Sequence, residues 1–271
     1  MSLLNNKHLY IYSIIISISI SSILVFVLYF INFPLIVKAF AEYEGAHEVV
    51  LTISIRIILL SIISIYLFNK WFKQEAQYLS DIPFLLGMFF LILLFGKAVD
   101  LFWDLTFFTF SDNLVLLFLK FRFFIIIFEV APLIYLGFEI IFFRLEDRFL
   151  KLKDKKFMNK LRVILILIIV TIEANAVIIA SNNTTIGMLL PYIVIPSLLG
   201  IVYIFFLAYR LNRLTVVKPG ILTIGFLLYL ISNIFRPIMQ NILGEAASYI
   251  IVAEAVDIFV FLMIFFGLYK K

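Results

Sequence analysis

Long apolar runs separated by short polar breaks set the pattern of this chain. Runs at residues 11–33, 49–68, 82–104, 114–143, 163–180, 188–209, 221–243 and 249–269 each approach or exceed the roughly 20 residues a helix needs to cross hydrocarbon. The pattern predicts an all-α integral membrane protein, a bundle of about eight transmembrane helices in a single polytopic domain spanning residues 1–271. Seven spans result if one run only lies in the interface. The run at 114–143 is longer than the bilayer is thick, so it must tilt or protrude. The first run is about twice the length of a signal-peptide core and no small-residue cleavage motif follows it, so it reads as a retained span.

The polar breaks orient the bundle. With the N-terminus inside, the inner segments hold Lys7, Lys70, Lys73, the basic residues of 144–162, Arg210, Arg213, Lys218, Lys270 and Lys271. The outer loops hold only Lys38, and the remaining basic residues lie within runs. Every loop agrees with an excess of Lys and Arg on the cytoplasmic side, so both termini are expected in the cytoplasm of a prokaryotic cell membrane. The stretch RLEDRFLKLKDKKFMNKLR (144–162) is the one sizeable cytoplasmic feature. An anionic leaflet accounts for its charge at about 1 kcal/mol per basic residue; the sharper reading is a docking surface for a cytoplasmic or membrane signalling partner.

Composition supports this setting. Of the 271 residues, 65% are hydrophobic and 14% charged, whereas a soluble domain is about half apolar and about a quarter charged. Lipid is the expected surrounding partner, and the +5 net charge reflects loop topology and implies no nucleic-acid partner. Cys is absent, which excludes disulfides and thiolate sites. His8 and His47 both lie outside the runs, which argues against a bis-histidine haem. No P-loop, HExxH or GxSxG pattern occurs, the last run has no lysine for a retinal Schiff base, and no arginine repeats every third residue. No enzyme activity, cofactor or metal is expected.

The informative residues are the charges inside the runs, which cost about 2.5–3.5 kcal/mol each at a helix centre and so face a protein interior. The seventh and eighth runs form a hairpin across GEAAS (244–248). This places Arg236 at the depth of Glu254 and Asp257, which share one helix face. Asn233 and Gln240 lie on the face of Arg236, and Pro237 removes a backbone donor beside them. The third run, with FGKAVDLFWD at 95–104, carries Lys97, Asp100 and Asp104; Lys120 and Arg122 enter the fourth at a depth where they reach Asp100 or Asp104. Arg56 sits in the outer half of the second run. Glu129 and Glu173 lie deeper and are candidates for a proton or ion relay. Lys97 and Arg236 each lie fifteen residues into their runs after a similar glycine-containing text, an echo consistent with a four-plus-four duplication of about 1–143 and 163–271.

The stretch LKFRFFIIIFEVAPLIYLGFEIIFFRLEDR (119–148) combines a basic–aromatic entry, a proline and an apolar run ending in basic residues. Together with RLTVVKPGILTIGFLLYLISNIF (213–235) it resembles the multi-spanning, 7TM-type sensor modules of membrane histidine kinases. The likeness covers about half the chain and no catalytic motif, and the 271 residues are expected to contain no kinase or other output domain. It implies a receptor-like module that signals through a partner and transfers no functional residues. The expected function is therefore a receptor-like or sensory membrane module with an outward-facing polar pocket formed by Arg236, Glu254, Asp257, Lys97, Asp100, Arg56, Asn233 and Gln240. A secondary transporter or ion-coupled carrier is the first alternative, and a structural subunit of a membrane complex the second.

Overall fold

In hydrocarbon a backbone N–H has no water to bond, so an apolar run satisfies itself as helix. The computed structural model describes residues 3–106, 109–212, 214, 217–243 and 246–269. They form α1 (Leu3–Ile31), α2 (Phe33–Glu42), α3 (Ala46–Phe72), α4 (Ile82–Thr106), α5 (Asp112–Leu145), α6 (Lys155–Ile179), α7 (Asn183–Arg210), α8 (Pro219–Leu243) and α9 (Ala247–Leu268). A 3-10 turn occupies Leu150–Lys153, and no strand occurs among the described residues. Seven of these helices, α1, α3, α4, α6, α7, α8 and α9, are long and apolar enough to cross a membrane. The protein is an all-α bundle of membrane type. α5, at 34 residues, is the longest helix and carries Lys120, Arg122, Glu129 and Glu139 within it.

Six helices close into a ring in the order α3, α4, α5, α7, α8, α9 and back to α3. α1 and α2 pack on the outside against α4, and α6 packs on the outside mainly against α5. The ring interior divides by polarity. Toward the end marked by the N-termini of α3 and α9, called the upper end, it is charged. Toward the other end one apolar cluster fills it, including the fully buried Phe89, Phe90, Phe205, Phe226 and Phe261.

Helix bounds differ from the expected runs where polar residues keep a helix going. The predicted loop 144–162 shrinks to 146–154, because α5 continues to Leu145 and α6 starts at Lys155. Asp154 sets that start: its side chain accepts from the Lys156 backbone N–H at 2.9 Å, a normal N-cap. Arg162 belongs to the folded core of this region. Its side chain is buried, pairs with Glu139 at 2.9 Å and lies over the Tyr135 ring at 4.7 Å. The short α2, absent from the expected elements, turns into α3 at Gly45. There φ is +87°, and a Cβ would sit 2.5 Å from that of Ala247 at the head of α9.

α8 and α9 approach most closely at their lower ends. A Cβ on Gly225 would lie 2.6 Å from Ile264 Cγ1, and one on Gly267 2.7 Å from Leu222 Cδ2. The Lys218 N–H donates to the Gly267 carbonyl at 2.8 Å and ties the two ends together. Small residues permit such close packing between membrane helices. Gly225→Val is expected to force the pair apart and lower the unfolding free energy by about 1–3 kcal/mol, read as a lower thermal midpoint in lipid nanodiscs. An unchanged midpoint would show that this contact does not hold the hairpin.

Candidate functional site

The charged upper interior is one connected network. Glu254 of α9 is its centre. Its Oε2 accepts from Arg56 Nη1 of α3 at 2.8 Å, and its Oε1 accepts from Lys97 Nζ of α4 at 2.7 Å and from Arg236 Nη2 of α8 at 3.2 Å. One turn further along α9, Asp257 forms an ion pair with Arg56 Nη1 at 2.7 Å and accepts a close bond from Arg236 and one from the Ser232 hydroxyl at 2.6 Å. Lys97 also lies 3.6 Å from Asp100. Asp100 in turn accepts both Nε and Nη2 of Arg122 of α5, at 2.8 and 3.2 Å. The fork-on-carboxylate geometry of that pair is the strong form of an ion pair. Five helices are thus joined through side-chain charges.

Burial is graded along the network. Arg56, Lys97, Glu254 and Asp257 are almost wholly buried, whereas the side chains of Arg236 and Arg122 keep 22% and 39% of their surface. Arg56 also lies over the Phe261 ring at 5.0 Å, and its Nε has no hydrogen-bond partner. A cation on an aromatic face gains about 2 kcal/mol when desolvated, which offsets part of that cost.

The network walls a cavity of about 190 Å³. Arg122, Glu129, Asn233, Arg236 and Tyr249 line it, and Leu93, Val130 and Leu198 help close it below. Beneath them Phe261 packs against Tyr229 and Phe90, with ring centres 5.1 and 6.0 Å away, and Phe205 stacks on Phe226 at 5.1 Å. Among the described residues no group of His, Cys, Asp and Glu could hold a metal.

Arg56, Lys97, Asp100, Asn233, Arg236, Glu254 and Asp257 therefore converge on one site. Asn233 lines the cavity while its amide donates to the Tyr229 carbonyl at 2.8 Å. The helical backbone of α8 runs through Gln240, whose side chain lies outside the described residues. Glu129 and Glu173 are not brought together. Glu129 is buried at the cavity, but Glu173 is half-buried on α6, outside the ring, with no hydrogen bond or ion pair to any described residue. Lys120 also turns away, donating to the Ile178 carbonyl of α6 at 2.9 Å. Lys97 of α4 pairs with Glu254 of α9 at 2.7 Å.

Sequence reasoning missed Ser232, Tyr229 and Tyr249. A signal existed for two of them: Tyr229, Ser232, Asn233 and Arg236 fall at helical spacing on one face of α8. Two further cavities flank the site. One of about 360 Å³ is an almost wholly apolar groove between α8 and α9 that shares Arg236 and Tyr249 with the chamber. The other, about 390 Å³, lies at the lower end among Gln74, Asp81, Leu136, Glu139 and Leu211.

Compared with known protein families, curated proteins and solved structures, the chain finds no match. The class that fold and site define is a helical membrane bundle with a charged internal chamber.

Proposed function

We propose that this protein is a receptor-like sensory module of a prokaryotic cell membrane, with eight spans, both termini in the cytoplasm and the chamber facing outward. α5 is the eighth span on this reading, because it closes the ring and turns Arg122 and Glu129 inward. The observation that carries the proposal is a polar chamber at one end of a ring whose other half is sealed by packed aromatic and aliphatic side chains. Binding at such a site changes helix positions without opening a route across. A guest competing for Arg236 or Asp100 weakens one link among α4, α5, α8 and α9. Displacement of α9 then reaches the lower end, where a partner reads it at the basic stretch 144–162.

The absence of cysteine makes the test direct, since one introduced thiol is the only thiol. Asn233→Cys is expected to react with a membrane-impermeant thiol reagent added outside sealed vesicles, and not with the same reagent inside. Lys153→Cys is expected to show the opposite sidedness and reports the topology. Labelling of Asn233→Cys from neither side would leave a structural role and remove the receptor reading.

The transporter alternative rests on the lower cavity. Along α5 its wall begins at Leu136, and the chamber ends at Val130. Six residues, about 9 Å of helix, separate them. Labelling of Asn233→Cys from both sides would select that alternative.

A further inference from the structure

One acidic side chain at the chamber wall, Glu129, stands outside the ion pairs formed among the described residues. Glu129 is 7% exposed and lines the chamber from α5, yet it forms no hydrogen bond or ion pair with any described residue. A buried carboxylate kept only to register helices would have a partner, because leaving it alone costs several kcal/mol. Toward the upper end, Arg122 and Arg236 line the same chamber with unused donors. The bonds they make employ Nε and Nη2 of Arg122 and Nη2 of Arg236. A guanidinium carries five N–H donors in all.

Resting on the receptor reading above, we propose that the chamber binds a small zwitterion, its cationic group on Glu129 and its anionic group on Arg122 and Arg236. Charge balance supports this class of guest. The groups in the network and at the chamber wall are Arg56, Lys97, Arg122 and Arg236 against Asp100, Glu129, Glu254 and Asp257. A guest ammonium beside Glu129 and a guest carboxylate beside Arg122 and Arg236 each meet an opposite wall group, so both ends of a zwitterion are compensated at low dielectric. A simple anion would satisfy the arginines and leave Glu129 alone. A simple cation would do the reverse. Volume sets the size: about 190 Å³ is well below the roughly 300–1,000 Å³ of pockets for drug-sized ligands. Arg122 and Glu129 are seven residues apart on one face of α5, about 10 Å along its axis, and the long arginine side chain shortens that gap. These dimensions suit an amino acid.

The test uses the full chain in nanodiscs and the shift of its thermal midpoint on binding. The probes are glycine, L-alanine, β-alanine and γ-aminobutyrate, with butyrate and butylamine as the separated halves, all at equal concentration. At least one zwitterion is expected to raise the midpoint where both halves fail. Glu129→Gln, with its own midpoint as the folding control, is expected to weaken that response at least tenfold in apparent Kd. Val194→Phe, which fills the chamber from α7 without touching a charge, is expected to abolish it, so the test survives misfolding of either variant. Equal action of butyrate, or of butylamine, would overturn the proposal in favour of an anion or cation site. No response to any probe, with Asn233→Cys still labelled from outside, would overturn the zwitterion assignment and leave the receptor reading standing. Loss of both would remove both.

Discussion

Glu254→Gln is expected to destabilise the bundle by about 3–5 kcal/mol, the range for breaking a buried ion pair from one side. Its carboxylate serves Arg56, Lys97 and Arg236, cations from three other helices, and it is 1% exposed. The amide that replaces it holds no charge, so Arg56 and Arg236 fall back on Asp257 alone, and Lys97 on Asp100 at 3.6 Å. The measurement is the unfolding midpoint in nanodiscs, with folded yield as a second reading. Adding Lys97→Met to Glu254→Gln removes one stranded cation. The double variant should then lose less than the sum of the single losses, by about 1 kcal/mol or more. Strict additivity would show that the network does not act as a unit.

Phe261→Ala should cost a similar amount, about 3–5 kcal/mol, for a different reason. Phe261 is fully buried and forms the layer between charges and plug, touching Arg56 above and Phe90 and Tyr229 beside it. Truncation leaves a void that the surrounding rings cannot fill and takes the aromatic face from Arg56. Two residues earlier on the same helix, Phe259 points outward with 66% of its surface exposed. Lipid replaces whatever Phe259→Ala removes, so that change should stay within about 0.5 kcal/mol. Measured midpoints for the pair check which face of α9 lies inside; equal losses would mean that the face is wrongly assigned.

Local pairings were the part of the site open to sequence reasoning. Arg236 meets Glu254 and Asp257 because a short turn joins α8 to α9, and equal depth then implies proximity. Arg122 reaches Asp100 by the same logic across α4 and α5. Positions of the apolar runs followed from the cost of exposing backbone to hydrocarbon, which depends on composition alone. Helix ends at the water side were less legible, since Lys, Met and Leu propagate a helix past the apolar limit until a cap such as Asp154 stops it.

The distant pairings depended on the tertiary structure. Arg56 reaches Glu254 only because α9 returns to α3, 198 residues further along the chain, and Lys97 reaches it across the ring from α4. The separation of Glu129 from Glu173 likewise follows from α6 lying outside the ring. In a soluble helix the polar face marks the outside and reveals which face packs. In these helices the lipid-facing and protein-facing sides are both apolar, so periodicity carries little orientation. Close packing at contacts such as Gly225 on Ile264 decides which helices become neighbours. Sequence alone therefore placed most of the buried charges in the outer half of a membrane-type bundle. Ring closure decided which of them are paired and left Glu129 without an ion-pair partner among the described residues.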